Sequence, residues 1–178
     1  MNTISVISLI ISIIAVSITV IIFRANKNRE DYQNFHQQTA LYASLEITLA
    51  TRKLWRLYKE YPGNEFLDKY IEIMKSEQQQ ANSLPPSEQM DFERHSLHYQ
   101  RKLVSQFWRG LALLLKNNLL PSKIAYEWWQ REDIDIVTKV LLPIEDRLAD
   151  FLQTSRLNPN SDPLYYLVKV RNNFYSLA

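Results

Sequence analysis

At 178 residues, 46% hydrophobic and 22% charged, the chain is too apolar for a disordered tail and long enough for one domain with a core. Its net charge of +2 is spread over interspersed acids and bases, so the concentrated basic face of a nucleic-acid binder is not expected. Two glycines are too few for most phosphate-cradling loops and strand-rich folds, and the lack of cysteine excludes thiol chemistry and suits a reducing compartment.

Thr3 to Phe23 carries no charge, proline or glycine. As a helix it would be roughly 30 Å long, the thickness of a bilayer's hydrocarbon core, and it has no polar face wide enough to meet water. The run is too long for a signal peptide, and Arg24-Ala25-Asn26-Lys27 stands where a cleavage site would be. An uncleaved transmembrane helix is expected. Arg24, Lys27 and Arg29 follow the span while no basic side chain precedes it, which places the N-terminus outside and the rest in the cytoplasm. Ser5, Ser8, Ser12, Ala15 and Thr19 recur at intervals of three and four. Small and hydroxyl side chains on that spacing let two helices approach closely, so they form a candidate transmembrane association seam.

Beyond the span the apolar pattern is helical. Asn28 to Tyr61 lacks a breaker, with Phe35, Leu41, Leu45, Leu49, Trp55 and Tyr58 recurring at roughly helical intervals, and reads as a stalk running into the first bundle helix. Tyr61-Pro62-Gly63 stops it, and Asn64 is expected to cap a helix over 65–80 that buries Phe66, Leu67, Tyr70, Ile71 and Met74. After the loop Asn82 to Ser87, with Ser87 as cap, a long helix over 88–117 forms the central strut, carrying Phe92, Tyr99, Leu103, Phe107, Leu111 and Leu114. Pro121 starts a helix over 122–131 with the Trp128-Trp129 pair, of which at most one ring can be central to the core. A helix over 132–153 buries Val137, Leu141, Ile144, Leu148 and Phe151, with Pro143 expected to bend it. A loop over 158–163 precedes a last segment, 164–175, rich in tyrosine and valine but best read as helix.

The sharpest candidate chemistry is Asp91, His95 and His98, whose offsets of four and three put them on one helical face, as metal ligands can be. That face continues into Lys102, Ser105 and Arg109, so the competing reading is a solvated polar stripe. Asp146 and Asp150 lie one turn apart, opposite an apolar stripe, and read as a solvated face. Glu127 and Arg131 read as a surface pair. Arg101, Lys102 and Arg109 with Tyr99 and Trp108 could contact an anionic ligand, but core aromatics with outward-facing cations give the same pattern. No cofactor is expected, and no Gly-x-Ser-x-Gly elbow is present.

The layout of a short span, a helix with Trp55, the run Arg101 to Leu111 (RKLVSQFWRGL), Trp128-Trp129 and then Leu141 to Arg147 (LLPIEDR) resembles a family of small, uncharacterised, single-span bacterial proteins with a cytoplasmic helical domain. The likeness runs to about Gln153 and implies no particular activity. The expected fold is all-α, with one N-terminal transmembrane helix continuing into a cytoplasmic bundle of about five to six helices. Its parts are an anchor and basic flank over 1–28, a helical domain over 29–155, and a C-terminal loop and short helix over 156–178. The expected function is a single-pass, inner-membrane interaction or scaffold module. Its partners would be the lipid bilayer, a second copy and an unidentified protein. The alternative is a membrane-anchored enzyme with a metal or acid/base site around Asp91, His95 and His98.

Overall fold

The computed structural model describes residues 3–42, 44–123, 125, 129 and 131–175, and the side chains of 18–42, 44–123, 125, 129 and 133–172. The chain is all-α, with no strand among the described residues. Its helices are α1 (Thr3–Tyr42), α2 (Leu45–Glu60), α3 (Asn64–Ser83), α4 (Pro86–His95), α5 (Leu97–Lys116), α6 (Arg131–Ile136), α7 (Leu142–Phe151) and α8 (Pro163–Tyr175). A π-helical turn, Val137–Leu141, joins α6 to α7.

The 40 residues of α1 make a rod about 60 Å long. Among the described residues no helix is long and apolar enough to cross a membrane. The side chains of 3–17, most of the apolar run, lie outside the described residues. So do Ser5, Ser8, Ser12 and Ala15 of the association seam, whereas Thr19 is exposed. Arg24, Lys27 and Arg29 are also exposed on α1.

The expected stalk does not run unbroken to Tyr61. It stops at Tyr42, and Ser44 restarts it as the N-cap of α2, its hydroxyl accepting from the Ile47 amide at 3.4 Å. The break re-phases the apolar face. Ile47, Ala50, Leu54 and Leu57 are buried, while Leu41, Leu45 and Leu49, expected inside, are exposed. At the next turn Gly63, not Asn64, occupies the cap position. Its φ of +71° is left-handed backbone that a side chain would strain, even though a Cβ there would touch nothing. Helix α3 then buries Phe66, Tyr70, Ile71, Met74 and Ala81.

Two helices replace the single strut expected over 88–117. Helix α4 starts with Pro86 in its first turn rather than after Ser87, buries nothing, and ends at His95. Ser96, extended at φ −66° and ψ 149°, caps α5 by accepting from the Tyr99 amide at 3.1 Å. Glu77 of α3 adds a second cap, both carboxylate oxygens accepting from the Leu97 amide at 2.8 and 3.0 Å.

Helix α5 is the centre of the bundle, packed against α1, α2, α3, α4, the π turn and α8. It buries Leu97, Val104, Phe107, Trp108, Leu111, Ala112 and Leu115. Trp129 is buried beside Trp108, with ring centroids 6.4 Å apart. Trp128 and most of the helix expected over 122–131, including Glu127 and the Arg131 side chain, lie outside the described residues.

At Pro143 the helix expected over 132–153 is interrupted by a π-helical turn, Val137–Leu141. The Pro143 ring cannot donate to, and would collide with, a carbonyl four residues back. The preceding turn widens, and the Leu142 amide bonds five residues back, to Val137. Val137, Val140, Leu141, Ile144 and Leu148 are buried through this segment, whereas Phe151 is not. Helix α8 is helical as expected, and its Leu164 and Leu167 belong to the core cluster.

Candidate functional site

The break at Ser96 decides what Asp91, His95 and His98 can do together. Asp91 and His95 share α4, His98 belongs to α5, and the single face that the offsets implied does not form. His95 Nδ1 lies 2.8 Å from the Asp91 carbonyl oxygen, so the ring closes the end of its own helix. Among the described residues no group of three or more histidine or acidic side chains could hold a metal ion. His36 is exposed on α1, stacked near Tyr32 at 5.7 Å.

His98 turns the other way, into the bundle. Its Nδ1 lies 3.3 Å from the Tyr70 hydroxyl. Half-burial, with the Arg101 and Lys102 charges nearby, lowers its pKa from 6.5 to about 4, so the ring is neutral at physiological pH. Burial pushes the Tyr70 hydroxyl well above its ordinary value, against the opposing pull of Arg101.

From this pair a run of polar contacts follows α5. Arg101 is buried and pairs with Glu145 of α7. Ser105 donates to the same carboxylate at 3.3 Å and accepts from Arg109 Nε at 3.3 Å. Arg109 pairs with Asp162 at 2.5 Å, and Asp162 caps α8 by accepting from the Leu164 amide at 2.9 Å. The stripe expected to be solvated is therefore largely a buried seam between helices. Ser105 is buried, Arg109 is partly covered, and Lys102 alone of the three is exposed. Arg101 and Arg109 are committed to carboxylates, which removes them from any basic-aromatic surface. Asp150 is exposed and pairs with Arg156. Asp146 is half-covered on the same helix.

Beside this seam lies a half-open cleft of about 400 Å³ between α3, the end of α4, the start of α5 and the end of α7. Met74 and Ala81 form its buried part, Phe92 and Tyr99 its sides, and Phe151 and Leu152 its exposed edge. His98, Lys102, Glu77 and Glu93 supply the polar lining. Such a site can hold an apolar body and give hydrogen bonds to a polar head.

Sequence reasoning missed Tyr70, Glu77, Glu145 and Asp162 as partners. A signal existed for one end of the seam. Arg101 falls between Leu97, Val104 and Trp108 at core spacing, and a charge there demands a buried counter-charge. No family model, curated protein or solved structure matches the chain.

Proposed function

We propose that the protein is a single-pass membrane-anchored interaction module that presents its helical bundle at the cytoplasmic face of a bacterial inner membrane. What carries the reading is α1, one unbroken helix from the apolar run into the bundle. Its first half has the length and composition to span the hydrocarbon core. Its second half is fastened to the domain. Asn34 Nδ2 donates to the Leu119 carbonyl at 3.0 Å, Tyr42 donates to Asp133 at 2.8 Å, and Phe35 meets Trp129 edge-on at 6.4 Å. A bundle held so rigidly to its anchor has one orientation to the membrane, which suits a docking platform better than a loosely tethered enzyme.

Arg24, Lys27 and Arg29 orient the span, and the Ser5, Ser8, Ser12, Ala15 and Thr19 seam offers a second copy a route to pair. The test is cross-linking in intact cells, with a C-terminal reporter that folds only in the cytoplasm. The expected result is an active reporter in the carbonate-resistant membrane fraction, with a protein partner or second copy recovered in near-stoichiometric amount. Extraction by carbonate, or an active periplasmic reporter, refutes the anchor or its direction. Membrane insertion with no cross-linked protein refutes the interaction role.

A further inference from the structure

We propose that the outward faces of α2 and α4 form a docking surface for a second copy of the chain, with α2 of each copy meeting α4 of the other across a two-fold axis. The inference rests on the reading of the protein as an interaction module, names one partner for its bundle, and does not use the transmembrane seam. On α2, Leu45 and Leu49 are 74% and 52% exposed, and Arg52, Arg56 and Lys59 continue the same outward stripe at helical spacing. The helix carries four cations against two carboxylates. Arg52, Arg56 and Lys59 make no ion pair or side-chain hydrogen bond among the described residues.

Helix α4 has the opposite character. It holds the exposed carboxylates Glu88, Asp91 and Glu93 against Arg94, and its His95 ring is turned onto its own Asp91 carbonyl. None of the three carboxylates has an ion pair among the described residues. Met90 is 63% exposed, and the helix buries no side chain of its own. Short helices draw most of their stability from packing an apolar face, and the fold gives α4 little of that. Lys53 Nζ donates to the His95 carbonyl at 3.2 Å, which sets the end of α4 against α2. The two faces are therefore neighbours, and one rotation brings each onto its counterpart in the second copy. Leu45, Leu49 and Met90 then supply the apolar centre, with arginine and carboxylate paired around it. An acidic partner would cover α2 and leave α4 open, and a basic one the reverse. A second copy covers both.

The experiment is disulfide cross-linking between two differently tagged full-length chains, one with Leu49→Cys and the other with Met90→Cys, co-expressed and oxidised in unfractionated lysate. The chain has no cysteine of its own, so a mixed disulfide joins two copies at these positions and nowhere else. A Lys169→Cys chain, exposed on α8, sets the background of random collision. The expected result is a 49–90 disulfide well above that background. Adding Arg52→Glu with Arg56→Glu to the first chain should lower the yield at least roughly fivefold, because like charges then face each other. Adding Glu88→Lys with Asp91→Lys to the second chain should restore it, which a misfolded variant could not do. A yield no higher than the Lys169→Cys background, no response to the first reversal, or no rescue by the second would each overturn the proposal. A protein partner recovered in cells without the 49–90 disulfide overturns this docking surface and leaves the interaction module standing.

Discussion

Two adjacent faces of α5 hold the bundle by different means. On one, Arg101, Ser105 and Arg109 meet Glu145 and Asp162 through ion pairs and hydroxyl contacts. On the other, Phe107 and Trp108 meet Tyr42 and Trp129 ring against ring, with centroids 5.2 to 6.4 Å apart. The indole nitrogens of Trp108 and Trp129 find no hydrogen-bond partner among the described residues, so the two tryptophans hold this knot by burial and shape, with Tyr42's bond to Asp133 at its edge. The polar face gains little net energy from its charges, because desolvation offsets most of their attraction. What it adds is direction: Glu145 of α7 and Asp162 at the start of α8 each meet an arginine of α5. The dry face carries most of the stability, and the polar face ties α7 and α8 to α5 by charge.

Removing the centre of the dry face should have the largest effect. Trp108→Ala leaves a cavity among fully buried rings and should destabilise the chain by about 4 kcal/mol, read by chemical denaturation of the full chain in micelles. A loss below about 1 kcal/mol would show that the rings collapse into the gap and that the knot is not the main support.

On the polar face, Glu145→Ala strands the buried Arg101 and should cost about 3 kcal/mol. The comparison is sharpened by Arg101→Met with Glu145→Leu, which removes both charges and should recover most of that loss. If the double variant is as unstable as the single one, the pair is a net source of stability and the assigned division fails.

His98 makes the polar side pH-sensitive. Its folded pKa of about 4 lies below the ordinary 6.5, so the unfolded chain takes up its proton first. Stability from this group is intact above about 6.5 and is lost as the pH falls toward 4. The half-exposed ring is screened by water, which limits the loss to about 1 to 2 kcal/mol. Unfolding curves between pH 7 and 5 should show this slope in the parent chain, and His98→Gln should flatten it. An unchanged slope would assign the effect to other groups.

The smallest change is at the edge of the dry face. Tyr42→Phe keeps the ring in the knot and removes only its hydrogen bond to Asp133, a loss of about 1 kcal/mol in unfolding free energy read by chemical denaturation. A loss as large as that of Trp108→Ala would mean that the fastening of α1 depends on this polar contact more than on the aromatic packing.

Much of the fold is readable because helix boundaries are often local chemistry. Pro62-Gly63, Leu84-Pro85 and Asn158 to Asp162 lie between helices through proline's missing donor or glycine's torsional freedom. Pro86 and Pro163 open the helices that follow, and the loop expected over 82–87 narrows to Leu84-Pro85. The candidate site was less readable. Asp91, His95 and His98 have the offsets of one face, yet Ser96, capping α5 between them, separates the face into two. Glu145 and Asp162, 44 and 53 positions from their arginines, carry no local mark of partnership.

By itself the sequence determined the all-helical class, the main loops, the apolar run and the basic flank after it, because composition, 3.6-residue periodicity and proline act within a few residues. The tertiary structure decided the breaks at Ser44 and Ser96, the burial of Ile47 in place of Leu49, and the seam joining Arg101 to Glu145. A serine costs a helix interior only a few tenths of a kcal/mol relative to alanine, so its propensity is too weak to end a helix. Only the gain from re-aiming an apolar face or pairing a buried charge with a distant element is large enough to choose capping over continuation.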